Sequence, residues 1–373
     1  MFRKTLMAAA AALVMGSAAQ AAQVEITGAM DAYVAINNMG GEYSTALSSG
    51  GVNASHVMFR GTEQLGNAEV FFNLDTAIFS DTGAWPESGG GRMFNREADI
   101  GVRGSWGSLS FGRQYTPHFL TFLFYDPTGL SLGSSFSPFF MAGPHSTCGD
   151  QGELVRIDNS ISYVLPTSFG LTNFFFVHLG EQEGSFNRGN MYNYAAKFDK
   201  GPFSAMASYA WESMLNGIAE GTASERYKVQ WLNVAASYDF GFTKPVVQFE
   251  KKWGDPEKGS SDFWMAQIGT STPVFGGLWM VSASYFKNES REDADSWGVG
   301  TKFNYPLSKR TRLFCGVQAV FNQDNAGYAI EAGPDSSVHF HNSAENTIFG
   351  TGYGTDYLGK NVQQLFFGIS HEF

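Results

Sequence analysis

The chain has 373 residues, of which 15% are aromatic and only 16% charged, with 44 Gly, 34 Phe and a formal net charge of −11. So acidic a balance argues against a nucleic-acid partner. Two cysteines, Cys148 and Cys315, are too few for a disulfide framework.

The first element is a processing signal. "MFRK" supplies two cations, "TLMAAAAALVMGSA" is apolar but too short to span a bilayer, and Ala19-Gln20-Ala21 fits small-residue cleavage. Residues 1–21 are therefore read as a secretory signal peptide. Its removal takes Arg3 and Lys4 with it and moves the net charge from −11 to −13.

From residue 22 onward the dominant signal is period-two alternation. In "QVEITGAMDAYVAIN", Val24, Ile26, Gly28, Met30, Ala32 and Val34 share one face, and Glu25, Thr27, Asp31 and Tyr33 the other. "SHVMFRGTE" places His56, Met58 and Arg60 together. Alternation returns in "FSAMASYAWES", "WLNVAASYDFG" and "SWGVGTKFNY". Short turns rich in Gly, Pro, Asn, Asp and Ser fall at 65–67, 105–108, 166–170, 199–202, 239–242, 271–277 and 305–310. Longer polar stretches at 38–53, 80–92, 213–225 and 324–361 separate the pairs, and no helical periodicity is evident after the signal. Counting strands around these turns predicts sixteen, the last at 362–373.

Strands of about ten residues with short turns at one end and long loops at the other describe an outer-membrane β-barrel. Lipid offers no hydrogen bonds, so a spanning sheet must leave no edge unpaired. The C-terminal "FGISHEF" then has to close against the first strand. A soluble β-sandwich would turn the same faces inward, but alternating turn and loop lengths suit it badly. The predicted fold class is an all-β, sixteen-stranded antiparallel transmembrane barrel over residues 22–373.

The order of several motifs is similar to that of the trimeric general porins of Gram-negative outer membranes, in particular the betaproteobacterial type. The resemblance is carried by "VEITGAMDAYV", "FRGTEQLGNAEVFFNLD" at 59–75, "RMFNREADIGVRGSWGSLSFGRQYTP" at 92–117, "VRIDNSISYVLPTSFGL" at 155–171, "YPLSKRT" at 305–311 and "FGISHEF". It implies a homotrimeric channel in the outer membrane, surrounded by lipid. Small hydrophilic solutes and ions would pass by passive diffusion. It also implies a third extracellular loop, about 115–152, that folds inward and narrows the pore. Phe373, Ile369, Phe367 and Leu365 resemble the family's signal to the barrel-assembly machinery.

The resemblance places basic residues on the pore wall at Arg60, Arg96 and Arg156, with His56 on the Arg60 face. Arg keeps its charge at any relevant pH. The loop usually supplies acids opposite, yet Asp126 is the only acid between Tyr115 and Gly149. The loop is instead aromatic, with Tyr115, Phe119, Phe124 and Tyr125 among its rings. These rings either line a narrow, partly apolar passage or pin the loop to the wall. Glu97 and Asp99 would face outward on strict alternation from Arg96, at a subunit interface, unless a bulge resets the strand. Cys315 has lipid-facing parity and is not expected to bridge Cys148.

No enzyme emerges. "HNSAEN" at 341–346 lies in an expected loop, no zinc spacing or phosphate loop occurs, and no cofactor is implied. The acids Glu289, Glu292, Asp293 and Asp295 read as a solvated loop. The expected function is a passive diffusion channel. The alternative is a substrate-selective channel on the same barrel, with the aromatic loop as a slide.

Overall fold

The computed structural model describes residues 23–84, 92–142, 154–181, 183, 186–187, 189–215, 226–254, 262–330 and 358–373. The signal peptide, Cys148, the far part of the 115–152 segment and 341–346 lie outside the described residues.

Strand β1 (Gln23–Met39) is followed by β2 (Glu42–Ser49), β3 (His56–Leu65), β4 (Ala68–Ala77), β5 (Glu97–Gly104) and β6 (Gly107–Tyr115). Helices α1 (Pro117–Tyr125) and α2 (Ser137–Ala142) come next, then β7 (Arg156–Val164), β8 (Leu171–His178), β9 (Met191–Lys200) and β10 (Phe203–Leu215). The series ends with β11 (Arg226–Tyr238), β12 (Lys244–Trp253), β13 (Phe263–Val274), β14 (Gly277–Asn288), β15 (Ser296–Pro306), β16 (Thr311–Asn322) and β17 (Val362–Glu372).

From β3 onward each strand pairs antiparallel with its sequence neighbours. β17 returns to β1 in the register Ala29↔Glu372 to Met39↔Val362. The lower half of β1 pairs with β3 and the upper half with β2, both antiparallel and on the side away from β17. β2 and β3 therefore occupy one barrel position, interrupted at 50–55, and the closed barrel has sixteen positions. This corrects the reading of 38–53 as a loop. "EYSTALSS" mixes polar and small residues on both faces, so alternation did not mark it. All seven short turns fall between consecutive strands.

Closure is sealed at the terminus. Gly28 and Phe373 exchange backbone hydrogen bonds, N–H to O distances being 3.1 and 3.0 Å. Outward residues such as Val24, Ile26, Ile268, Val317, Leu365, Phe367 and Ile369 are exposed apolar side chains. Trp106, Trp279, Tyr305, Tyr238 and Phe240 stand exposed near the short-turn ends, as an interfacial aromatic girdle requires. Cys315 is exposed on this apolar side, opposite Phe303 and Phe367. The other face carries Asn37, Asn193, Asn233, Gln248, Gln267, Gln318 and Gln364, all buried.

Much of that burial comes from the segment after β6. The α1 helix packs against β8 to β12. Its start is local chemistry: Thr116 caps it, the hydroxyl accepting from Phe119 N–H at 3.1 Å, and Pro117 occupies the first turn. "PHFLTFLFY" is apolar almost throughout, which is why no 3.6-residue periodicity announced it. Beyond α1 the chain runs along the polar face of β13 to β16. Gly133 N–H donates to Gln318 Oε1 at 3.1 Å, Gln318 Nε2 to the Ser134 carbonyl at 2.8 Å, and Ser135 N–H to Ser282 Oγ at 3.0 Å. Gly298 and Gly300 make room: a Cβ on Gly300 would lie 2.1 Å from the Gly133 carbonyl oxygen. Phe119, Phe122, Phe136 and Phe139 form an apolar cluster with Phe263, Phe286, Val320 and Tyr328.

Candidate functional site: the charged interior

Three predicted residues converge. The Tyr115 hydroxyl accepts from Arg96 Nη2 and from Arg156 Nη2, both at 2.9 Å. The Arg156 guanidinium also lies over the Tyr115 ring, 4.7 Å from its centroid. On its other face Tyr115 stacks on Phe119, with centroids 5.3 Å apart and planes 11° apart. Two like charges on one hydroxyl require counter-charge. Arg96 Nε donates to Asp75 Oδ2 at 2.9 Å, and that carboxylate is nearly buried.

Arg60 stands one strand away, exposed, with Nε donating to Asn73 Oδ1 at 3.2 Å. Asn73 in turn donates to both Asp99 oxygens at 3.2 Å. His56 opens β3, and its Nδ1 lies 2.7 Å from the Ala54 carbonyl oxygen, apart from the arginine cluster.

Glu97 and Asp99 do not face outward. Arg96 precedes β5, so alternation does not run through it. Asp99 pairs with Asn73 and Glu97 with Asp75, on the face that carries Arg60 and Met58. Asp75, Glu97 and Asp99 thus sit among Arg60, Arg96 and Arg156, and Arg113 adjoins them, donating to the Arg156 carbonyl at 3.3 Å and sharing Asp158 with Arg92 at 2.7 and 2.6 Å.

Asp126 holds a turn together. Its Oδ1 accepts from Thr128 N–H, Thr128 Oγ1 and Leu130 N–H at 2.8, 2.7 and 3.1 Å. Its Oδ2 accepts from Ser134 Oγ at 2.6 Å and Gln267 Nε2 at 2.8 Å. Tyr125 is buried and bonded to Ser204 Oγ at 2.6 Å. Burial pushes its hydroxyl up to about 12, so it stays neutral. Phe124 is the exposed ring of α1, at 43%.

Several charged partners were not singled out from the sequence. His118 Nε2 lies 2.8 Å from Glu250 Oε1, and both side chains are fully buried. Lys302 donates to Ser131 Oγ with 1% exposure, and Lys252 lies 5.9 Å from the Phe263 ring centroid. His118 and Glu250 are 132 positions apart, so no local pattern joins them. The only available signal was parity: Glu250, Lys252 and Lys302 occupy inward positions on otherwise clear strands. Two of the four loop acids are ion-pair partners, Glu289 of Lys251 and Asp295 of Lys287, at 2.8 and 2.7 Å. No cluster suited to a metal occurs among the described residues.

A polar, charged interior inside a closed barrel with an apolar exterior is the chemistry of an aqueous path through lipid. Residues 8–325 match the family model for Gram-negative porins. The chain belongs to that family. It is 27% identical over 343 residues to outer membrane porin protein 32 of Delftia acidovorans, covering 88% of this chain and 93% of the relative. An anion-selective porin from Comamonas acidovorans superposes with a TM-score of 0.78 at 23% identity, covering 95% of this chain and all of the other. OmpT of Vibrio cholerae, in its trimer form, gives 0.64 at 13% identity, covering 95% and 100%. This porin is an integral outer-membrane protein that forms a channel for passive diffusion of solutes, and not an enzyme.

Proposed function

We propose that the segment from Tyr115 to about residue 152 is the constriction of the channel, and that Arg60, Arg96 and Arg156 decide which ions pass it. The observation that carries this reading is the set of bonds from 116–139 to the polar face of β9 to β16. These bonds tie the segment to that side of the barrel, and on our reading the path runs beside β3 to β7, where the arginines stand. Field lines focus in a narrow path with low-dielectric walls, so a few fixed charges there outweigh a larger diffuse charge elsewhere. Charges on outer loops are screened within about 8 Å at physiological salt. The neighbouring acids Asp75, Glu97 and Asp99 offset part of the arginines' positive charge. We therefore expect weak anion preference or near neutrality despite the acidic composition, in keeping with the anion-selective Comamonas porin.

A homotrimer is the assembly we assign, on the likeness to the trimeric Vibrio protein. Residues 1–21 act as the export signal. Phe373, Ile369 and Phe367, on the closing strand, act as the assembly signal.

Single-channel recording in a planar bilayer tests the reading. It predicts steady ohmic steps and a small reversal potential in a salt gradient. Strong cation selectivity would contradict it.

A further inference from the structure

We propose that the cavity beneath α1, at the short-turn mouth of the barrel, binds amphiphilic carboxylates: small solutes that join one aromatic ring to one carboxylate. The proposal rests on the channel reading and adds a site distinct from the arginine cluster. The cavity holds about 850 Å³ and is lined by Phe124, Phe174, Lys197, Asp199 and Lys244, among others.

Its wall offers one apolar and one cationic handle. α1 buries Phe119, Phe122 and Tyr125 to 5% exposure or less but leaves Phe124 at 43%. A phenyl ring facing an aqueous cavity gains by stacking with another ring. Lys197 Nζ lies 5.8 Å from the Phe124 centroid, so the same ring already borders a positive charge.

The charges are not equivalent. Lys197 is paired with Asp199, whose Oδ1 also accepts from Ser204 Oγ at 2.6 Å. Asp239 accepts from Gly241 N–H at 2.7 Å within its own turn. The Lys244 side chain has no hydrogen bond or ion pair among the described residues, and its strand position puts it on the inward face with Val246, Gln248 and Glu250. Two lysines and two aspartates line the cavity, and Lys244 acts on Asp199 only through its charge; Lys244 is therefore the cation left without a direct partner, and the open surface is aromatic. The arginine cluster lacks this combination, because Tyr115 is covered by Phe119 and Arg156.

The test uses the full-length channel in a planar bilayer with phenylacetate as probe. Acetate lacks the ring and 2-phenylethanol lacks the charge. Phenylacetate should interrupt the ion current at concentrations where the other two do not. Lys244→Gln and Phe124→Ala should each weaken that block about tenfold, and Arg60→Ala should leave it in place. Equal effects of phenylacetate and acetate, or a block that survives both cavity variants, would overturn the site while the channel reading stands. A wild-type protein that carries no ion current would remove both.

Discussion

Gly300→Ala isolates the attachment of the constriction segment from the barrel itself. The added Cβ would lie 2.1 Å from the Gly133 carbonyl oxygen and 2.7 Å from its carbonyl carbon. Ordinary contact begins at 3.4 Å, so the segment must retreat by about 1.3 Å from a strand that the ladders to β14 and β16 hold fixed. That retreat strains the Gly133–Gln318, Ser134–Gln318 and Ser135–Ser282 hydrogen bonds. At about 1 kcal/mol each, the loss approaches 3 kcal/mol, or roughly a hundredfold rise in the detached population. Single-channel currents should become larger and noisier. The heat needed to unfold the barrel on a denaturing gel should stay the same, because no ladder bond is lost. Val299→Ala, on the lipid side of the same strand, serves as control and should behave as wild type. A folded Gly300→Ala barrel with wild-type conductance and noise would refute the idea that this segment narrows the path.

Other consequences can be checked as directly. Gly28→Ala places a Cβ 2.3 Å from the His56 carbonyl oxygen and 2.7 Å from the Phe373 ring, so closure should weaken and the barrel should unfold at lower temperature or urea concentration. Deleting Phe373 should reduce the amount of folded protein in the outer membrane; unchanged levels would count against its role in assembly. His118→Ala strands Glu250, fully buried, without its partner, and the ~3–5 kcal/mol typical of such a loss should appear as faster hydrogen exchange in α1. A spin label on Cys315, in a Cys148→Ser background, should be relaxed by oxygen dissolved in lipid and not by a water-soluble nickel chelate; the reverse pattern would contradict its outward parity.

Sequence legibility followed the range of the interactions. The short turns need particular residues at adjacent positions, and all were visible. Closure was visible too, because a lipid-spanning sheet permits no free edge and "FGISHEF" alternates to its last residue. β2 was hidden: half of a strand position with serines on both faces carries no period. α1 was hidden for the opposite reason, since a helix apolar on nearly every side also has no period, although Thr116-Pro117 was a legible cap. The arginines came from family resemblance. The meeting of Arg96 and Arg156 on the Tyr115 hydroxyl, and the pairing of His118 with Glu250 and of Lys302 with Ser131, depend on contacts between residues far apart in the chain. Asp126 shows the limit of composition: an isolated loop acid suggests a pore charge, whereas its five hydrogen bonds make it the centre of a turn.

The claim that the arginines govern permeation is tested most directly by the reversal potential of the Arg60→Ala, Arg96→Ala, Arg156→Ala triple variant in a salt gradient. Removing the cations leaves Asp75, Glu97 and Asp99 on the same wall, so the potential should move toward that of a cation-selective pore and conductance should rise. A folded triple variant whose reversal potential matches that of the wild type would contradict the account.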